Sequence, residues 1–351
     1  MKSKKRGLAC WLAIASAGFV HTVSASEFVI LPVFGNQQDT GFQFGAAGIW
    51  EQAPEPDALA ANIFFVLTQN GQRSLATGLR LPGPVAERQD AIELGIRLSQ
   101  FPNEFFGYRT TFLAEGERYD EESVTLSAGW SYPLNTNWRA QATGLAAWAD
   151  VTFDNPSSPL LDNVAWTTGG TAQALEFELS RDTTDDNGWP TQGSRFISGI
   201  TTGQAEQQAF SIFQQEATRY WGMSPQWRNS VLALGAQWQF ASADTPFIFM
   251  PSLNGTQWMR GLDGAQYRNL TTVSAQAEAR IPLSQRFATT VFTHVGQIGA
   301  DPGEWTESAL KTGGGLGFRY SISSERRLNI RVDLGWVDGR GGAVINFGEA
   351  F

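Results

Sequence analysis

The feature that most constrains this sequence is a strict alternation of residue character over stretches longer than an ordinary soluble strand. In residues 270–282, one face carries Thr271, Val273, Ala275, Ala277, Ala279 and Ile281, and the other carries Thr272, Ser274, Gln276, Glu278 and Arg280. Period two over this length predicts a β-strand, because successive side chains of a strand point to opposite faces. Soluble strands usually have about 5–6 residues, whereas a tilted strand that spans a bilayer needs about 9–11.

The same alternation recurs along the chain, in residues 138–148, 312–322 and 328–337. In the first of these stretches the apolar row begins at Trp138 and ends at Trp148, as aromatic girdles at two membrane interfaces would require. The polar rows contain charged residues, which suit a wet lumen. One strand alone does not separate a barrel from a secreted sandwich, but strand length and girdle aromatics together favour the barrel.

These patterns predict an all-β fold, a 16-stranded antiparallel transmembrane β-barrel of the outer membrane, since bacterial barrels have an even number of strands. Short connections such as "PLNTN" and "PLSQ" are assigned to the periplasm, and the longer ones at 101–117, 151–165 and 241–268 to the outside. The predicted strands are 28–35, 41–51, 59–68, 73–82, 90–101, 118–134, 136–151, 166–181, 193–204, 208–221, 227–240, 269–282, 285–299, 309–323, 326–338 and 342–351.

Residues 1–25 predict a cleaved export signal. A basic head precedes the apolar run 8–20, and small residues surround a cleavage site near Ala25. We therefore expect residues 26–351 to form the barrel, in the outer membrane of a Gram-negative bacterium. The only cysteine, Cys10, would leave with the signal, so no disulfide is expected.

Composition and the scarcity of histidine limit the possible functions. The formal net charge is −9, with 34 acidic residues against 25 basic ones, and this argues against nucleic acid as a partner. Beyond the signal the only histidine is His294, and we find no serine–histidine–acid triad, no H-E-x-x-H motif and no cysteine metal site. We expect no catalytic residue, cofactor or metal, and therefore no enzyme.

The end of the sequence, "VINFGEAF", places Ile345, Phe347 and Phe351 at one parity, interrupted by Glu349. Outer-membrane barrels commonly end in an aromatic residue on the last strand. We interpret Phe347 and Phe351 as a C-terminal signal through which the assembly machinery would act on this chain.

Several motifs, taken in order, resemble the BamA/TamA superfamily of outer-membrane barrels, the bacterial surface antigen type. "ILPVFGNQQDTGFQFGAA" resembles its opening strands and "FPNEFFG" at 101–107 a recurring loop. "SRDTTDDNGWPTQG" at 180–193 resembles its acidic periplasmic turn, with Asp182, Pro190 and Gly193 as the motif residues. "MRGL" at 259–262 resembles the arginine–glycine motif of the sixth extracellular loop, here Arg260, Gly261 and Leu262.

The resemblance implies that the sixth loop folds into the lumen and that Arg260 packs against charged residues of the wall. Inward-facing Glu278 and Asp333 are the expected partners, since an unpaired buried charge is costly; the expected network also includes Arg280, Arg319 and Arg331. The family usually carries Phe-x-Asp-x-Gly on the thirteenth strand, but here His294 replaces the carboxylate. The contact of Arg260 would then be weaker, pH-sensitive, or shifted onto Glu278 or Asp333.

The resemblance implies protein assembly or translocation, with a protein or lipid client passing a weak junction between the first and last strands. BamA and TamA carry periplasmic POTRA domains, for which this sequence leaves no room before the first strand, so it resembles a stand-alone branch. The alternative is a passive, porin-like channel. Expected partners are outer-membrane lipids, lipopolysaccharide and a periplasmic protein. The glycines near the last strand, including Gly341 and Gly342, fit a weak junction but equally fit barrel curvature.

Overall fold

The computed structural model describes residues 27–37, 41–52, 58–85, 89–108, 111–158, 161, 164–227, 229–253, 257–262, 267–301, 310–323, 328–338 and 340–351. The predicted signal peptide, its cleavage site and Cys10 lie outside these residues. No helix in the described ranges has the length and apolar character needed to cross a membrane.

The chain forms one antiparallel sheet of 16 strands in which every strand pairs with its neighbours in sequence, which confirms the predicted fold class. The first and last strands lie side by side. The strands are β1 (Glu27–Gln37), β2 (Gly41–Glu51), β3 (Ala60–Thr68), β4 (Arg73–Pro82), β5 (Ala91–Tyr108), β6 (Thr111–Pro133), β7 (Trp138–Phe153), β8 (Gly169–Asp182), β9 (Gly193–Ala205), β10 (Gln208–Gly222), β11 (Val231–Ala241), β12 (Thr271–Pro282), β13 (Phe287–Gly299), β14 (Leu310–Ser323), β15 (Leu328–Val337) and β16 (Arg340–Phe347).

The two faces of the sheet follow the alternation of the sequence. On β12 the polar row, which includes Gln276, Glu278 and Arg280, is buried inside the barrel. Outward apolar side chains stay open: Phe177 and Trp336 are each 50% exposed. Such a belt of exposed apolar side chains is what hydrocarbon covers in a membrane.

The two ends of the barrel differ in their connections. We call the end that carries the connections 134–137, 183–192 and 283–286 the turn end, which the sequence assigns to the periplasm. The opposite end, the loop end, carries the longest connection together with tight hairpins such as the one at 206–207 between β9 and β10. At the loop end, aromatic residues of β5, β6 and β7 pack on the sixth loop, residues 242–270, in a buried apolar cluster. The aromatic members of the cluster are Phe105, Tyr119, Phe153 and Phe247.

The predicted external loop 101–117 is wrong, because most of it is strand. β5 and β6 stay paired from Gln100↔Glu122 outward to Tyr108↔Thr111, with a bulge near Phe105. The sequence favoured a loop because "FPNEFFG" at 101–107 resembles a recurring loop of the family. β4 pairs with β5 only as far as Gln100, so at Pro102 the strand has a partner on one side only, a position where proline is tolerated.

The predicted final strand 342–351 is also wrong at its end, since β16 stops at Phe347. Gly348 has φ +72, which turns the chain away from the sheet. Ala350 and Phe351 then lie buried inside the barrel against Tyr220 and Val231. Phe351 is therefore not on the outward row of the last strand. The side chain of Phe347 lies outside the described residues, and the assembly-signal role of both residues stays a prediction.

Candidate functional site

Arg260 of the sixth loop lies inside the barrel with no exposed surface. One terminal nitrogen, Nη1, is 2.6 Å from Glu278 Oε2 and 3.1 Å from Asp333 Oδ2. Its other terminal nitrogen, Nη2, donates to Gln276 Oε1 at 3.3 Å. The loop arginine is therefore held by β12 and β15 together, through the two carboxylates that the sequence proposed.

The ring of Phe292 on β13 forms the floor under Arg260. The guanidinium carbon lies 3.5 Å from the ring centroid, a close cation–π contact in a site without water-exposed surface. A Cβ at Gly315 on β14 would come within 2.5 Å of the ring, so glycine is needed there to admit Phe292.

The backbone of the Arg260–Gly261 pair lies directly on the barrel wall. A Cβ on Gly335 would be 2.1 Å from the carbonyl oxygen of Arg260, and one on Gly261 would be 2.5 Å from the carbonyl carbon of Gly335. Gly261 also has φ +109, which disfavours any side chain. A Cβ on Gly342 of β16 would be 3.2 Å from the oxygen of Gly261. These glycines thus let the loop touch two strands.

A second layer of charges surrounds the Arg260 pair. Arg280 Nε is 2.8 Å from Glu278 Oε1, and Arg319 Nη1 is 2.6 Å from Asp333 Oδ1. Arg331 approaches Asp333 at 3.5 Å. The structure therefore brings together all the arginines and carboxylates of the predicted network. The buried cluster of Arg260, Glu278, Arg280, Arg319, Arg331 and Asp333 is called the lumen network below.

Glu349 is a member of this cluster that sequence reasoning missed. Its carboxylate is 2.8 Å from Arg319 Nε and accepts a hydrogen bond of 3.0 Å from Asn329 Nδ2. The sequence treated Glu349 as an interruption of an outward apolar row, because parity suggests a face only while the strand continues. Its acidic character near several inward arginines was the one available signal.

His294 does not take the place of the family's carboxylate. The imidazole is buried and stacks on Phe292, with ring centroids 5.9 Å apart. Neither ring nitrogen has a hydrogen-bond partner among the residues that the structure describes. The contact of Arg260 is accordingly made with Glu278 and Asp333, one of the outcomes that the substitution left open.

Two further side chains fix the loop on either side of Arg260. Leu262 packs in an apolar cluster with Leu253, Met259, Ile298 and Val337. Trp258 stacks on Phe351, with centroids 6.1 Å apart and planes at 21°. The backbone oxygen of Phe351 accepts a 2.7 Å hydrogen bond from Arg280 Nη2. The loop, the lumen network and the last residues of the sequence therefore form one packed unit.

The predicted turn motif lies at the turn end, between β8 and β9. Asp182 pairs with Arg195 at 2.9 Å, and its carboxylate accepts hydrogen bonds from the amide and hydroxyl of Thr184. Pro190 is buried. Gly193 has φ +99, and a Cβ there would be 2.2 Å from the oxygen of Thr183. Asp182, Pro190 and Gly193 thus each have a local structural role in the turn.

The acidic residues of this turn act as acceptors for its backbone. Asp185 accepts from the amides of Thr191 and Gln192 at 2.8 and 3.0 Å. Partial burial acts to raise the pKa of Asp185, but the hydrogen bonds from Thr191 and Gln192 outweigh it, so the pKa lies below its ordinary value. Trp189 of the same turn lies over Arg280, with the guanidinium 5.5 Å from the ring centroid, so the turn reaches the lumen network.

The chemistry of this site holds the sixth loop in place. The carboxylates of Glu278 and Asp333 are each shared between guanidinium groups, and the rest of the site is filled by rings and backbone. Its charges are buried and paired, and removing one partner leaves others uncompensated.

Comparison with known proteins agrees with this geometry. A model of the Omp85 superfamily domain matches residues 66–348. A structure of BamA from Haemophilus ducreyi lacking POTRA domains 1–3 superposes with a TM-score of 0.62 at 10% identity, covering 95% of this chain and 76% of that one. Comparison with curated protein sequences gave no significant match.

Two structures of CdiB are similar as well. CdiB from Escherichia coli gives a TM-score of 0.60 at 12% identity, covering 92% of this chain and 61% of its own. CdiB from Acinetobacter baumannii gives 0.59 at 11% identity, covering 92% and 59%. This chain thus spans about three fifths of either CdiB chain. The resemblance predicted from the motifs is confirmed: the chain belongs to the Omp85 superfamily, an outer-membrane family of protein insertion and translocation factors rather than enzymes.

Proposed function

We propose that this barrel inserts or translocates a protein or lipid client at the outer membrane, and that the client engages the junction of β1 and β16. Omp85 proteins act with lipids and partner proteins in the outer membrane. Which client and which partner this chain uses is part of the proposal, and a periplasmic protein is the partner that we infer.

The observation that carries the proposal is the burial of the sixth loop against the lumen network. Arg260 is fully enclosed between Glu278, Asp333 and Phe292. An open channel does not require a buried loop held by ion pairs, whereas a barrel whose wall must part needs a brace that keeps its shape.

The junction itself supports the same proposal. β1 and β16 lie next to each other as the two ends of the strand order, so no connecting hairpin holds their junction. Unpaired strand edges can template a partner strand. Gly342 faces the sixth loop, so close packing accounts for that glycine and it is not needed as evidence for a weak junction.

Photo-crosslinking in the native host tests the proposal with a matched pair of positions. Ile30 on β1 and Ile200 on β9 both face outward, with 62% and 47% exposure. A photo-reactive residue at Ile30 should capture client protein or lipid in discrete adducts, and the same residue at Ile200 should give only the general lipid background. Equal adducts at the two positions, or none at Ile30, would contradict entry at the junction.

A passive, porin-like channel is the second candidate, and the wall opposite the lumen network favours it. There the Arg80–Glu93 pair remains 20% and 30% exposed, and Gln141 lies 3.4 Å from Glu93. Single-channel recording separates the candidates. Large, steady openings of the wild type would favour the channel. Small, irregular openings that grow in Arg260→Ala would favour the braced translocator.

A further inference from the structure

A groove lies on the outward face of β9, β10 and β11. Thr218 and Tyr220 point into the barrel and are buried, so Ala217, Arg219 and Trp221 point outward. The groove has a volume of about 350 Å³. Its outward lining residues are Ser194, Phe196, Ala217, Arg219, Leu234 and Ala236.

The sheet register explains the shape of the groove. Ala217 pairs with Phe196 on one side and with Ala236 on the other. Two alanines therefore form the floor, while the ring of Phe196 and the side chain of Leu234 rise beside it. The lining is mainly apolar, as is usual for sites that take small hydrophobic ligands.

A cation stands at one end of this apolar groove. Arg219 is exposed, and its guanidinium lies 5.7 Å from the centroid of the Trp221 ring. No carboxylate is paired with Arg219 in the described part of the barrel. Ser194, its cross-strand neighbour, carries a hydroxyl that lies 3.1 Å from Thr183 Oγ1. The groove thus combines an apolar body with a cationic, hydrogen-bonding end.

The height of Arg219 on the barrel identifies the environment. β10 ends at Gly222, so Arg219 lies about 10 Å along the strand from the turn end. Arginine on a lipid-facing surface costs about 2–4 kcal/mol at the midplane and about 0–1 kcal/mol near an interface. The neighbouring Trp221 is 41% exposed, as expected of an interfacial aromatic residue.

We propose that this groove is a binding site for a glycerophospholipid of the leaflet at the turn end. An acyl chain lies over Ala217 and Ala236, and the lipid phosphate is held by Arg219 and Ser194. A guanidinium pairs well with phosphate through charge-assisted hydrogen bonds. The charge and apolar lining of the groove select this ligand, and the proposal does not depend on the client of the barrel.

The barrel provides a matched control for general lipid contact. Arg181 on β8 also faces outward at the turn end and lies over a tryptophan ring, that of Trp138, at 5.9 Å. Arg181 pairs in the sheet register with Phe196 at the edge of the groove, but its guanidinium is directed the other way, over the ring on β7. Arg181 has the same charge and the same kind of aromatic neighbour, so it reports what an interfacial arginine does when its guanidinium is directed away from the groove.

Native mass spectrometry of the full chain in detergent tests the site, with phosphatidylglycerol as the probe. Arg219→Gln should lower the retained lipid about fivefold, the effect of one basic residue at an anionic lipid surface, whereas Arg181→Gln should match the wild type. Ala236→Leu should displace the lipid while Arg219 remains, and Ala146→Leu on the outer face of β7 should not. A diacylglycerol with the same acyl chains and inorganic phosphate should not distinguish wild type from Arg219→Gln.

Each alternative result overturns the proposal. Equal losses in Arg219→Gln and Arg181→Gln would mean that any interfacial arginine suffices. Wild-type retention in Ala236→Leu would mean that the groove holds no acyl chain. A response to inorganic phosphate that depends on Arg219 would point to a free anion. Heat-modifiable gel mobility of each variant checks that the barrel has folded.

Discussion

Two walls of the same barrel are built on different principles. The wall of β12 to β15 is packed like a protein interior, with Glu278 and Asp333 at 0% exposure and the sixth loop pressed against glycines. The wall of β4 to β8 carries charges as well, but its Arg80–Glu93 pair stays 20% and 30% exposed. Burial therefore decides how strongly an ion pair affects the stability of the barrel, because a pair open to water contributes little and a broken buried pair is costly.

The largest expected difference between the two walls follows from removing one carboxylate from each. Glu278→Gln should destabilise the barrel by about 3–5 kcal/mol, because it strips the partner from Arg260 and Arg280 in a dry site. Glu93→Gln should cost no more than about 1 kcal/mol. Unfolding by urea in lipid vesicles, followed by tryptophan fluorescence, measures both. Equal costs would show that the two walls do not differ in the way described.

A methyl group added to each wall gives the next largest effect. Gly335→Ala should cost about 1–3 kcal/mol, because the new Cβ meets the backbone of Arg260 and the loop must move. Gly95→Ala on the open wall would meet only the hydroxyl of Ser127, which can rotate away. Trypsin cleavage after Arg260 should increase in the first variant alone. An unchanged cleavage rate in Gly335→Ala would argue against the close backbone contact.

A smaller change addresses the ring beneath the loop arginine. Phe292→Leu keeps an apolar side chain but removes the cation–π contact with Arg260, so about 1 kcal/mol should be lost. Phe177→Leu on the lipid face, where no cation of the described residues lies over the ring, should stay within about 0.5 kcal/mol. The same urea titration applies, and a loss as large at Phe177 would assign the effect to ring size alone.

The smallest effect concerns the turn end and its pH dependence. The pKa of Asp185 is held below its ordinary value, so its stabilising effect is complete above the unfolded pKa of about 3.9 and fades as the pH falls toward the folded pKa. The unfolding midpoint of the wild type should therefore fall more between pH 6 and pH 3 than that of Asp185→Asn. Parallel curves would contradict the role of this carboxylate.

The sequence could predict the strands and the inward face because both follow from one local rule. Once residues 270–282 alternate, Glu278 must point to the same side as Arg280 and Gln276. The rule fails where a strand loses a neighbour or ends. Residues 101–107 are such a place, because family resemblance predicted a loop and only the strand pairing shows that β5 continues beyond the end of β4.

The rest of the site depends on contacts between distant parts of the chain. Gly335 has to be a glycine because the backbone of Arg260 lies against it, and Glu349 places its carboxylate next to Arg319. No local sequence pattern predicts either contact. Arg260 itself was identified from family resemblance, because the residues around it show no alternation that would distinguish it from a solvated loop arginine.

The sharing of carboxylates within the lumen network affects how the sixth loop can be released. Glu278 pairs with Arg260 and Arg280, and Asp333 pairs with Arg260 and Arg319, so each carboxylate keeps an arginine when the loop leaves. A half-withdrawn Arg260, by contrast, is a buried guanidinium without its acceptors, which makes half-released states the least populated. The loop should behave as a two-state element, seated or free, and a ligand would shift it only by binding one state more tightly than the other.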